Sequence, residues 1–376
     1  MFFLSFAILL LTAFYFTTNA TNFRGENAVR FDKMSRSELV ATTGLSRTQS
    51  VYLKLGYIER TTAPDIAVLG NHQVQYFSER AFGALDSNIR FFNLWGAAST
   101  LNDNFAYARL LEKLGILPKL LIVHITTPNN DNGGAILGHN PNMFAVLWQS
   151  GLVTSNENLL TAGKQLFNGL RLRVSETLDY ISLVGALSNR LGAVVVDREK
   201  CMAAIGSDDA DKSRWWIRFL PNTIKHIFSS KEEMLAGFCQ PKYLKVGFLR
   251  DGSNLPPENH KPPVLNRAKM DPLSRKLTRD STAEIAGAMH DLIALAERNN
   301  IKLVFLIPPV YETARESLSD EIFSNALREV PGKYVMDDRY AGHGHPEIFV
   351  DYDHPNNSYF ETVTERLRKR GLIPEE

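Results

Sequence analysis

Cysteine is nearly absent: Cys201 and Cys239 are the two thiols in 376 residues. With no CxxC pair and no Cys/His cluster, the pattern argues against a structural zinc site and leaves room for a single disulfide if the chain is exported. Charge of one sign is lacking too. Against 42 Lys and Arg stand 41 Asp and Glu, a formal charge of +1, so no electrostatic footprint for nucleic acid or acidic substrates exists. No internal repeat or low-complexity tract forces a division of the chain. What the sequence does have is 44% hydrophobic residues, enough to bury a full core.

Residues 2–16 are almost unbroken apolar and are followed by Thr-Thr-Asn-Ala20, a small-residue stretch like a cleavage site. The run falls short of the roughly 20 residues a spanning helix needs. No basic residue precedes it, and Arg24, Arg30, Lys33 and Arg36 follow it. Residues 1–20 read as a signal or membrane-anchor segment, making the protein exported, periplasmic or membrane-anchored; the alternative is a buried N-terminal helix. Residues 21–60, polar and mixed in charge, read as a stalk packing on the domain, with helical pieces near 37–40 and 49–57.

An α/β pattern occupies residues 61–376. Asp65-Ile-Ala-Val-Leu-Gly-Asn-His72 predicts a strand, a glycine turn and a helix over about 74–82. A strand at 89–94 ends near Gly96. A helix follows with Phe105, Ala108, Leu111 and Leu114 on one face and Gly115 as its stop, and then a strand at 119–126. Strands alternating with helices imply a parallel sheet with helices on both faces and ligands at the carboxyl ends of the strands. Residues 133–276 read as a largely helical insertion, with four prolines at 256–263. Ser281-Thr-Ala-Glu284 has the form of a capping box opening a helix striped with Ile285, Met289, Leu292 and Leu295. A strand at 302–307, a helix at 320–327, a strand at 334–336 and a terminal helix to about Arg368 complete the pattern.

Gly70-Asn-His72, Asn93 to Gly96, Pro128-Asn-Asn-Asp131 and Asp351-Tyr-Asp-His354 stand in the order of the four signature blocks of the SGNH (GDSL-type) hydrolases, and the chain resembles the exported or membrane-tethered bacterial branch of that family. The resemblance implies a flavodoxin-like three-layer α/β sandwich with a mostly parallel sheet. It also implies ester (acyl or acetyl) hydrolysis or transfer on cell-surface carbohydrate, with an acylated carbohydrate or small ester as substrate and a membrane acyltransferase as possible partner. Carried over by position, Gly96 offers a backbone N–H and Asn130 or Asn129 a side-chain amide to an oxyanion. His354 is the base, with Asp351 behind it. The family's serine nucleophile falls on His72, which departs from the pattern. Neither Ser78, well down the predicted helix, nor Ser99, after the second glycine, is singled out as its replacement. Two other readings remain open: a non-catalytic relative that binds an acylated glycan or acyltransferase, and a metal-dependent hydrolase using His72, His354 and the His343-Gly-His345 pair. No cofactor and no metal are expected on the first reading, and His124, inside an apolar strand, reads as a satisfied core histidine.

Overall fold

The computed structural model describes residues 34, 38–42, 54, 62–82, 89–96, 99, 101–125, 193–197, 248–254, 279–309, 319–342, 345–350 and 354–373. Among them the strands are β1 (Glu38–Thr42), β2 (Ile66–Leu69), β3 (Phe91–Asn93), β4 (Leu120–His124), β5 (Ala193–Asp197), β6 (Lys302–Ile307) and β7 (Val335–Asp337). The α-helices are α1 (Leu101–Lys113), α2 (Arg279–Arg298), α3 (Ser319–Arg328) and α4 (Asn357–Lys369).

The chain divides into two compact units. In the first, β1 pairs antiparallel with β5, Glu38 opposite Asp197 and Thr42 opposite Ala193. Lys54 is fully buried there, its ammonium 4.4 Å from the centre of the Phe248 ring, a cation–π contact that offsets part of the desolvation of the charge. A helical piece is predicted at 37–40, but residues 38–42 form a strand. Leu39-Val40-Ala-Thr42 has β-branched character, and pairing with the Val194-Val-Val196 run outweighs a weak local helical pattern.

The second unit carries a five-stranded, all-parallel sheet in the order β3-β2-β4-β6-β7. Its middle strands carry continuous apolar runs because both faces are covered: Ile66 to Leu69, Leu120 to Val123 and Val304 to Ile307 all have 0% exposure. Right-handed crossovers place the β2-to-β3 connection on one face and the later connections, which run the other way along the sheet, on the opposite face. Helix packing agrees: α2 lies against both α1 and α3, while α4 lies against the 3-10 turns Glu79–Phe82 and Pro346–Ile348. Phe77 anchors that second layer, stacked on Phe360 at 4.6 Å between centroids and tilted against Phe91 at 5.3 Å.

Charge clusters pin the layers. On the amino-terminal edge of the sheet Asp65 pairs with Arg90 at 3.1 Å and Lys119 at 3.0 Å. Between α1 and α2, Glu112 receives Arg298 through Nε at 2.7 Å and Nη2 at 3.0 Å, with Asn299 donating at 2.6 Å. After β7 the buried Asp338 accepts the Tyr359 hydroxyl at 2.8 Å and a bidentate contact from Arg366, tying α4 to the sheet.

Three helix expectations change. Residues 72–82 form two short 3-10 turns, His72–Val74 and Glu79–Phe82, instead of one helix. Residues 73–78 are buried, and three of their carbonyls are bonded from outside, Asn93 Nδ2 donating to Val74 O and Phe77 O and Asn254 N to Gln75 O, contacts that hold the segment in this turn conformation. α2 begins at Arg279, two residues before Ser281, so the capping box lies inside the helix; its predicted stripe, Ile285, Met289, Leu292 and Leu295, is buried. On α1, Ala108 and Leu111 face the core, but Phe105 is half-buried and Leu114 exposed, and Leu101, Tyr107 and Leu110 fill the face instead. The helix ends at Lys113, with Gly115 in the left-handed region closing its last turn. The apolar run at residues 2–16, Cys201, Cys239 and most of the insertion lie outside the described residues; β5 is a strand within that insertion.

Candidate functional site

β2 is the strand at which the order of the sheet reverses, with β3 on one side and β4 on the other. In open parallel sheets the crevice at such a switch point, beyond the carboxyl ends, is where ligands collect. Gly70 leaves β2 there, and Asn71 follows as the N-cap of the 3-10 turn, its Oδ1 accepting the Gln73 N–H at 2.9 Å. That turn lifts His72, half-buried, off the end of the sheet.

Its partner arrives from the other end of the chain. Phe349 and Pro355 form an isolated bridge, and Val350 N donates to His354 O at 2.8 Å. Asn356 secures it by donating through Nδ2 to Glu347 O at 2.6 Å and capping α4 at Ser358 N and Tyr359 N. His354, just before that cap, places Nε2 2.9 Å from His72 Nδ1, the ring centroids 5.0 Å apart. Tyr76 stands edge-on to His354 at 5.9 Å. Two residues 282 positions apart thus share one imidazole–imidazole hydrogen bond, in which one ring nitrogen donates and the other accepts.

Gly96 sits beside this turn, but its N–H donates to Gly70 O at 2.8 Å. In this conformation that bond closes the β2 turn. Asn129, Asn130 and Asp351 lie outside the described residues, as does His343. His345 is exposed and contacts Glu347 at 2.8 Å. Ser78 is buried and donates its hydroxyl to Asn357 Oδ1 at 3.2 Å, and so does not replace residue 72. Ser99 is buried, its N–H donating to Gly96 O at 3.1 Å. Among the described residues no group of three or more His, Cys, Asp or Glu side chains could hold a metal ion.

Several residues that build the site carry a weaker sequence signal. Asn93, 0% exposed, is the staple of the first loop: besides its two donated bonds, its Oδ1 accepts Trp95 N at 2.9 Å. An amide in the middle of Phe-Phe-Asn-Leu is the hint, since a buried polar group must be satisfied. Asp251-Gly-Ser-Asn254 closes over the same loop. Asp251 accepts Glu79 N at 2.6 Å and the Ser253 hydroxyl at 2.6 Å, its carbonyl takes Asn93 N at 2.7 Å, and Asn254 Nδ2 donates to Gln75 Oε1 at 3.0 Å. Burial pushes the Asp251 carboxyl above its usual range, although Ser253 and the Glu79 N–H oppose it. Gly252 is required at this crossing, because it has a φ of +76° and a Cβ there would fall 2.4 Å from Asn93 O. Only the turn chemistry of Asp-Gly-Ser-Asn signals this segment in the sequence.

No protein-family model, curated protein or solved structure matches this chain.

Proposed function

We propose that this chain is an SGNH hydrolase-like protein, exported or membrane-tethered, whose cleft serves an acylated carbohydrate-type ligand. The observation that carries the reading is the His72 to His354 contact of 2.9 Å at the carboxyl end of the switch-point strand. In a serine acyl hydrolase that is where the nucleophile hydroxyl meets its base. The strand order supports the flavodoxin-like form of the fold.

The chemistry of the pair narrows the reading. Serine catalysis needs an Oγ within about 3 Å of the base, and residue 72 supplies a ring instead. His354 Nε2, the atom that would take the hydroxyl proton, is engaged by His72 Nδ1. The Gly96 N–H is engaged as well. Both observations favour ligand binding, alone or beside a membrane acyltransferase, over serine-type turnover by the native chain. Asn129 or Asn130 would serve as amide donor and Asp351 as the carboxylate behind His354.

The test is aryl acetate turnover by the wild type and His72→Ser side by side. Little or no turnover is expected of the wild type. The serine variant, which places a hydroxyl beside His354, should gain activity. Robust wild-type turnover abolished by a fluorophosphonate would place the nucleophile at another serine and defeat the reading.

A further inference from the structure

His124, the last residue of β4, is 1% exposed, and among the described residues its two ring hydrogen bonds run to the residues on either side of His72. Asn71 N lies 3.5 Å from its Nδ1, and its Nε2 lies 3.0 Å from Gln73 Oε1. The tautomer follows from the group that cannot turn. A backbone N–H only donates, so Nδ1 must present its lone pair to Asn71, and Nε2 must then carry the proton and donate to Gln73. The opposite tautomer, or the imidazolium, would set two N–H groups against each other. The residue itself is anchored below, where Asn104 Nδ2 donates to its carbonyl at 3.2 Å. Its Cβ also closes on Gly70 so tightly that a Cβ there would lie 2.5 Å away.

We infer that His124 is a positioning residue: held as the neutral Nε2–H tautomer, it grips Asn71 and Gln73 on either side of His72 and thereby aims the His72 ring at His354. A residue between two such grips has little backbone freedom, and the close approach at residue 70 leaves no room for a side chain against β4. Burial, followed by the nearby charge His72 would carry, lowers the His124 pKa to about 3, which keeps the ring neutral at ordinary pH. The inference rests on the reading that the histidine pair is the working site, but its test does not need acyl chemistry.

The experiment is nitrogen-15 NMR of the full chain with labelled histidine. In the wild type at neutral pH, His124 should show Nε2 protonated and Nδ1 bare, and a coupling across the hydrogen bond between His72 Nδ1 and His354 Nε2 should be seen. His124→Phe fills the same space without polar atoms and should lose that coupling. His124→Asn keeps an acceptor toward Asn71 N and should restore it. If the Phe variant does not fold, Gln73→Met removes the Nε2 acceptor alone and should weaken the coupling. Persistence of the wild-type coupling in the Phe or Met variant, or an Nδ1–H tautomer in the wild type, would overturn the inference. Loss of coupling in the Phe variant with no esterase gain in His72→Ser would leave the positioning role standing and the acyl reading refuted.

Discussion

Adding one methyl group at two glycines should change stability in opposite directions. At Gly70 the new Cβ would stand 2.5 Å from His124 Cβ and 2.7 Å from Val74 Cγ2, against an ordinary carbon–carbon contact of about 3.5–4.0 Å. The backbone there is not left-handed, so the penalty is steric and not conformational. The obstructing atom is a Cβ on the adjacent strand, which no side-chain rotation removes, so β2 and β4 must part by roughly an ångström, an overpacking cost of about 1–3 kcal/mol. At Gly287, exposed within α2, a Cβ meets nothing within 4 Å, and alanine should stabilise the helix by about 0.5–1 kcal/mol. Denaturant unfolding of the full chain with each variant measures both. Equal stabilities for the two variants, or a neutral Gly70→Ala, would refute the tight approach of β2 to β4 on which the placement of His72 depends.

Removing the Asp338 carboxylate by Asp338→Ala should cost about 2–3 kcal/mol, less than for a fully buried pair because the Arg366 side chain is 37% exposed and can turn to water; thermal unfolding checks it, and no loss would mean that α4 is held by its apolar face alone. The Glu112 carboxyl, hydrogen-bonded by Arg298, is lowered from 4.5 to about 2. Its folded-state pKa is depressed, so its contribution is present above pH 4.5 and disappears as pH falls toward 2. Wild type and Glu112→Gln should therefore differ most near neutrality and converge in that window, and parallel pH–stability curves would contradict the assignment.

Those parts of the fold whose local pattern and tertiary environment agree are readable from the sequence. β6 is one: Lys302-Leu-Val-Phe-Leu-Ile307 has one exposed residue at its start and then only buried apolar ones, bounded by Pro308-Pro309. The convergence of His72 and His354 is also readable, because parallel strands put all their carboxyl ends on one edge. The turn after Gly70 is not. Its conformation is held by Asn93 and Asn254, which are distant in sequence and donate to three of its carbonyls. β1 is hidden for a similar reason, since its partner β5 lies far along the chain, inside a stretch with little pattern of its own. His124 is readable as a buried, satisfied histidine, but its grip on Asn71 and Gln73 depends on the β2–β4 register.

We propose that residue 72 occupies a nucleophile position served by His354. Stoichiometric labelling with a fluorophosphonate, followed by mass mapping of the modified residue, tests it most directly. The expected result is no label on the wild type, one label on the introduced hydroxyl in His72→Ser, and loss of that label when His354→Ala is added. Label on another serine in the wild type, or label at position 72 of the His72→Ser variant that is indifferent to His354, would contradict the account.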